Sequence, residues 1–209
     1  MKKIALIGSQ EFAAQLAHLA STCGHMVSGY FDDFKPIGTD EGKLILGPID
    51  SVVAFHHSRM MAAVMIGIGY KHLMYRAQIF GKLQGHGIPF ARLIHPHAFV
   101  DPSAIIEAGS ALYAGCVIDK GARVAANVLL NLGCIVSHDS EIGAHSFIAP
   151  GATIAGFAKI GERCFIGANA TVIDEIRIAN DTFIGAGAVV TRSIIEPGIY
   201  VGNPARRIR

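Results

Sequence analysis

The sequence predicts a chain of two parts. Residues 1–90 read as a small parallel α/β domain of Rossmann type, and residues 91–209 as an all-β parallel β-helix with a C-terminal tail. Three observations carry that prediction. From Val100 to Val190 every sixth residue is aliphatic, sixteen positions in succession. That spacing fits neither a helix, with its period of about 3.6, nor a half-buried strand, with its period of about 2. A hexapeptide coil does produce it, because one residue of each short flat strand points to the coil axis. Second, the position three residues after each aliphatic is filled mostly by glycine, asparagine or aspartate, types that tolerate a left-handed backbone. Third, the residues before about 90 lack the hexads and alternate strand-like with helix-like runs.

Taken in order, KKIALIG is a strand that ends on glycine, and EFAAQLAHLASTCG is helical in composition and spacing, with Gly24 near its end. MVSGYFDD is a second strand closing on Asp32 and Asp33, AVMIGIG another strand, and YKHLMYRAQIFGKLQGHG a second helix with a glycine-rich exit. Ligands of such a sheet sit beyond the carboxyl ends of its strands, here Gly8 to Phe12, Asp32 with Asp33, and Gly67 to Gly69. Prolines 89, 96 and 102 mark irregular or extended chain at the junction. From about 100 to 193 the hexads run unbroken, which at three per turn predicts about five coils. Phe157, Arg163 and Glu175 are exceptions in the turn column. The column four residues after the aliphatics is filled mainly by Ala, Ser and Thr, and it also holds Cys116, Cys134 and Cys164. Small side chains are wanted there, and cysteine serves as a small hydrophobe. Flat apolar outer faces on such a coil pack around a threefold axis, so a homotrimer is expected.

Composition narrows the function. With 18 basic against 16 acidic residues and no long basic block, bulk nucleic-acid binding is not expected. Although 51% of residues are hydrophobic, no uncharged stretch suits a membrane helix, and Glu11 interrupts the first apolar run before any cleavage site. The cysteines show no C-x-x-C and no secreted-type spacing, and free buried thiols point to the cytoplasm.

Among polar residues, His138 in IVSHDSEIG is the histidine that interrupts the repeat outside the turn column. An imidazole suits deprotonation of an amine or hydroxyl attacking a thioester, and the carboxylate of Asp139 beside it is the usual companion of such a base. The alternative is a surface histidine next to a turn aspartate. His95 and His97 have H-x-H spacing but no third ligand, and no metal is expected. Gly8-Ser9-Gln10-Glu11 follows a strand and opens a helix, where backbone N–H groups bind phosphate. The segment is not G-x-G-x-x-G, so nicotinamide redox chemistry is poorly supported. Asp32 and Asp33 either accept hydrogen bonds from a ribose or base or form a solvated turn. The arginines at the end, Arg206, Arg207 and Arg209, read either as a solvated tail or as a phosphate site.

The hexads, the SHDSEIG segment, the FIGANATV and FIGAGAVV coils and the closing GNPAR together resemble the hexapeptide-repeat, left-handed β-helix acyltransferases. The α/β domain ending in FDD, followed by LIHPHA, resembles one branch, the sialic acid O-acetyltransferase-like proteins that include bacterial nucleotide-sugar N-acetyltransferases. The resemblance implies acetyl transfer from acetyl-CoA, as co-substrate and without a metal, to the 4-amino group of a nucleotide-linked 4-amino-4,6-dideoxy sugar for surface polysaccharide or glycan synthesis. It implies His138 as general base, Asp139 as its acidic neighbour, Asn131 near the acceptor and Gly156 as the oxyanion N–H donor. It also implies coenzyme A in a groove between subunits, along Ala168 and Ala186, with Arg206 and Arg207 at its phosphates. The nucleotide falls to Asp32, Asp33 and the strand-end turns, including Gly67 and Gly69. Two departures stand out: Phe147 occupies the place of a family histidine near acetyl-CoA, and Gly8-Ser9-Gln10-Glu11-Phe12 replaces a glycine-rich G-x-G-G-H loop. O-acetylation of a sialic-acid-type sugar is the alternative activity, and a non-catalytic scaffold or sensor the alternative class.

Overall fold

The computed structural model describes residues 2–209. The chain separates into two compact units, Met1–Leu93 and Ile94–Arg209.

The first unit is α/β, with its five strands in the spatial order β3-β4-β2-β1-β5. Strand β1 (Lys3–Ile7) is apolar and buried after its first residue, as suits a strand flanked on both sides. Helix α1 (Glu11–Thr22) follows and stops at Cys23-Gly24, where Gly24 takes φ +75. Strand β2 (Met26–Phe31) returns parallel to β1. Residues 38–47 then form a hairpin that the sequence reading passed over, β3 (Gly38–Asp40) and β4 (Lys43–Gly47). Its two-residue turn, Glu41-Gly42, has φ 48 and 78, the left-handed pair that matches strand twist. The sheet is therefore mixed, with an antiparallel edge, because so short a hairpin needs no crossover helix. Helix α2 (Val52–His57), also unanticipated, precedes β5 (Ala63–Ile66). Beyond β5, a single 3₁₀ turn at Tyr70–His72 leads into α3 (Leu73–Gly85).

The second unit is built of short parallel strands on three faces. A first face carries Ala111–Leu112, Leu129–Leu130, Phe147–Ile148, Phe165–Ile166 and Phe183–Ile184. A second runs from Phe99–Val100 through Ile135–Val136 to Val189–Val190, and a third from Ile105–Ile106 through Glu141–Ile142 to Arg177–Ile178. Successive strands visit the faces in rotation, so Val117 pairs with Ile135 and Leu129 with Phe147, each on the next turn of the coil. From Ile106 onward the period-six aliphatics point inward and are at most 5% exposed.

All fourteen turn-column positions from Gly109 to Gly187 have positive φ, including Phe157 (58), Arg163 (52) and Glu175 (59). A left-handed residue with a side chain costs about 1–2 kcal/mol relative to the right-handed region. The coil register imposes it at these three places regardless of residue type. The small column is buried, and its polar members are matched to main-chain acceptors. Ser140 Oγ donates to Ala155 O at 2.7 Å, Ser146 Oγ to Gly161 O at 2.9 Å and Cys116 Sγ to Asn131 O at 3.1 Å. The larger Val128 and Ile176 share this column and are buried as well. The last coil is closed by Ile199–Val201, parallel to Phe183–Ile184, and by Arg206–Arg207 returning antiparallel.

Candidate active site

His138 stands where the chain leaves the second face, two residues past the inward Val136. Its neighbour Asp139 takes φ 56 as a turn residue, which swings the carboxylate back beside the ring. Asp139 Oδ2 lies 3.1 Å from His138 Nδ1, with the two side chains 46% and 49% exposed. Since a carboxylate only accepts, the proton belongs on Nδ1, which leaves Nε2 with a lone pair.

One turn further along the same edge are Gly156 and Phe157. A Cβ at Gly156 would stand 2.8 Å from both Cε1 and Nε2 of His138, so only glycine lets the imidazole lie this close to the main chain. The ring of Phe157 meets the imidazole edge-on, with centroids 5.1 Å apart at 87°. One turn in the other direction, a Cβ at Gly121 would stand 2.6 Å from Asp139 Oδ1. Gly121 and Phe157 thus shape the pair from either side; the sequence places both in the turn column but assigns neither to the site. Both lie one coil from Asp139, so counting by coils as well as by hexads is the signal that finds them.

The N–H of Gly156 makes no hydrogen bond among the described residues, whereas its carbonyl accepts from Glu175 N–H at 3.0 Å. The N–H groups of Ala168 and Ala186 are likewise unused, and those two residues are half-buried and exposed, respectively. Ala168 and Ala186 follow strands of the first face, as does Asn131, whose Oδ1 accepts from Leu132 N–H at 2.8 Å. These three residues therefore lie on the edge between the first and second faces. His138 and Gly156 lie on the edge between the second and third. Within one chain the two sets are at opposite ends of one flat face.

Phe147 is not at an edge. It is 5% exposed on the first face and stacks on Phe165 at 5.7 Å, which stacks on Phe183 at 4.4 Å. At the end of the coil, Arg206 and Arg207 line a pocket of about 180 Å³ together with Arg192 and Tyr200. Arg207 Nη1 pairs with Glu196 Oε2 at 2.8 Å, while Arg206 Nη1 bonds Ala205 O at 3.0 Å.

In the α/β unit the strand-end residues come together. Asp32, 8% exposed, accepts from both the N–H and the hydroxyl of Ser9 at 3.0 and 2.6 Å, and its other oxygen accepts from Phe34 N–H at 2.9 Å. It is not part of a solvated turn. Asp33 accepts from Ile49 N–H at 2.8 Å. Gly8 has φ +89 and donates to Phe31 O, while Gln10 is the N-cap residue of α1, with Glu11 and Phe12 in its first turn. Gly67 packs against α1, where a Cβ would come within 2.7 Å of Ala13 Cβ, and Gly69 has open space around it. At the start of the coil unit, His95 Nδ1 accepts from His97 N–H at 3.0 Å.

The coil of hexads is shared with solved hexapeptide-repeat acetyltransferases. The family model for the GMPPB C-terminal domain matches residues 90–199, more than half of the chain, and the chain belongs to that family. No curated protein matches it. Among solved structures it is similar to perosamine N-acetyltransferase from Caulobacter crescentus in complex with CoA and GDP-perosamine. That likeness has 27% identity and a TM-score of 0.91, covering 100% of this chain and 98% of the other. It is also similar to the acetyltransferase domain of PglB from Neisseria gonorrhoeae in complex with acetyl coenzyme A (29% identity, TM-score 0.86, 99% of each chain). WeeI from Acinetobacter baumannii, 23% identical over 100% of each chain with a TM-score of 0.82, shares the fold.

Proposed function

We propose that this chain is an acetyl-CoA-dependent N-acetyltransferase acting on the 4-amino group of a nucleotide-linked 4-amino-4,6-dideoxy sugar. The observation that carries the reading is the full-length likeness to an N-acetyltransferase holding both CoA and GDP-perosamine, joined to the His138–Asp139 pair seated over Gly156. In this reading Nε2 of His138 takes a proton from the sugar amine as its nitrogen attacks the thioester carbonyl. Asp139 holds the ring tautomer and stabilises the imidazolium. The carbonyl oxygen, as it gains charge, receives the unused N–H of Gly156. The C–S bond then breaks, and the departing thiolate takes the proton back from the His138 imidazolium, so the coenzyme leaves as its thiol and the base is restored. No serine or cysteine nucleophile is needed, so transfer is direct.

The free amides of Ala168 and Ala186 suit the amide groups of a pantetheine arm, and Arg206 and Arg207 suit its phosphates. Asn131 serves the acceptor. Because these residues lie on a different edge from His138, a neighbouring copy supplies one edge of each site, which supports a homotrimer of left-handed coils, about five per chain. The α/β unit, a Rossmann-like domain over about residues 1–90, receives the nucleotide at Gly8–Phe12, Asp32, Asp33, Gly67 and Gly69. Among the described residues no helix is long and apolar enough to cross a membrane. A cytoplasmic site of action is part of the proposal, in a pathway of surface polysaccharide or glycan assembly.

The test is acetyl-CoA consumption against GDP-, UDP- and dTDP-linked amino sugars, wild type beside His138→Ala. The expected result is turnover with one nucleotide class and a loss of about 10²–10⁴-fold in kcat for the variant, with acetyl-CoA affinity retained. Near-normal turnover by His138→Ala overturns the mechanism. Turnover only with a free sugar hydroxyl overturns the substrate class.

A further inference from the structure

Helix α3 carries a charged residue that no step above uses. Arg76 is 0% exposed, and its Nη1 donates to Ile66 O at 2.9 Å and to Ile68 O at 2.5 Å. Those carbonyls flank Gly67, where the chain leaves β5, and Gly67 N–H bonds back to Ile7 O at 2.8 Å. Ile68 in turn lies over the β1 turn, since a Cβ at Gly8 would stand 3.3 Å from Ile68 Cγ1. The next residue, Ser9, is tied to Asp32 by two hydrogen bonds. The carboxyl ends of β1, β2 and β5 are thereby joined into one network, and the guanidinium is its buried end. The residue before it, Tyr75, faces Asp33; its phenol is pushed above its ordinary value by partial burial and then by that carboxylate.

Mere packing does not call for this residue. Burying a cation costs several kcal/mol in effective desolvation, and an apolar side chain of similar volume fills such a space at less cost. What the guanidinium adds is one nitrogen, Nη1, that donates to two carbonyls at once on a rigid planar group whose charge is permanent.

We propose that Arg76 is a positioning residue for the nucleotide end of the acceptor. It holds the Ile66–Gly69 turn, and through Ile68 the Gly8–Ser9 turn, in the shape that receives a nucleoside diphosphate. The inference rests on the functional reading above and is tested separately from it. Binding of GDP, UDP and dTDP is measured by calorimetry for wild type, Arg76→Lys and Arg76→Met, together with KM for nucleotide sugar and for acetyl-CoA and the melting temperature. Arg76→Met is expected to weaken diphosphate binding and raise the acceptor KM about tenfold or more, with the acetyl-CoA KM within about twofold of wild type. Arg76→Lys, which keeps the charge and a donor nitrogen on a shorter side chain, is expected to recover part of that loss. A folded Arg76→Met with wild-type acceptor KM overturns the inference. Equal losses for both substrates with a collapsed melting temperature also overturn it, because they mark a purely structural role. If Arg76→Met does not fold, Arg76→Lys decides: an unchanged acceptor KM overturns the proposal. A wild-type protein that binds none of the three diphosphates defeats the functional reading first and this inference with it.

Discussion

Adding one methyl group at residue 156 separates the position of the base from everything else at the site. Gly156→Ala leaves the N–H in place and needs no strained backbone, since Gly156 is not among the positive-φ residues. Its Cβ, however, would meet Cε1 and Nε2 of His138 at 2.8 Å, roughly 0.6 Å inside the 3.4 Å at which ordinary contact begins. Phe157 lies against the ring edge-on, so the half-exposed imidazole can retreat only towards solvent, and its 3.1 Å bond to Asp139 opens as it does. A displacement approaching 1 Å in a catalytic group costs about 10²-fold, which corresponds to about 2.7 kcal/mol in the barrier. Stability should hardly move, because the ring yields without unpacking any core residue and alanine restricts the unfolded chain, a gain of about 0.4–1 kcal/mol. The assay is steady-state kinetics beside thermal unfolding. Expected are a kcat about 100-fold down, an acetyl-CoA KM close to wild type and a melting temperature within about 3 °C. A kcat within about threefold of wild type would show that the glycine does not hold the imidazole in its working place, and refutes the reasoning.

Two further outcomes follow from the coil core. In the native protein a thiol reagent near pH 8 should modify only Cys23, with all four cysteines reacting after denaturation. Cys116, Cys134 and Cys164 are buried; burial pushes the Cys164 thiol up to about 11, and the bond to Cys116 followed by burial pushes Cys134 up. The same shift sets a sign for pH. The folded state keeps the Cys164 proton that the unfolded chain releases near 9, so this contribution to stability is full below pH 9 and is lost as pH rises towards 11. Denaturant midpoints that stay level across that window would contradict it. Ile154→Ala, at a position 0% exposed in the centre of the coil, should cost about 2–5 kcal/mol by urea unfolding, and a loss below about 1 kcal/mol would mean that the coil relaxes into the cavity.

Much of the coil was legible because its period is a one-residue rule repeated. Val136, Ile154 and Val172 announce the axis, and the turn column follows at a fixed offset. The serines and cysteines of the small column were legible as small, but not as donors to carbonyls such as Ala155 O and Asn131 O, since those acceptors lie a coil away. In the α/β unit the apolar β1 and the helix after it were plain. The hairpin at residues 38–47 escaped because its strands are short and its turn signal is only Glu41-Gly42. Asp32 illustrates the remaining gap, for its sequence neighbours gave no hint of Ser9, which supplies two of its hydrogen bonds.

By itself, the sequence determined the coil register, the edge on which His138 falls and the class of chemistry that a histidine–aspartate pair supports. These depend on spacing along one chain, and hexads convert spacing directly into position around the axis. Only the tertiary structure decided what lies above and below that histidine. Gly121 and Gly156 flank the pair through contacts between adjacent coils, made by backbones that have no side chain to advertise them. It also decided that Arg76 is buried against the strand-end turns, bonded to Ile66 O and Ile68 O. Such relations are set by which face each strand joins and by burial, and neither is written in any local run of residues.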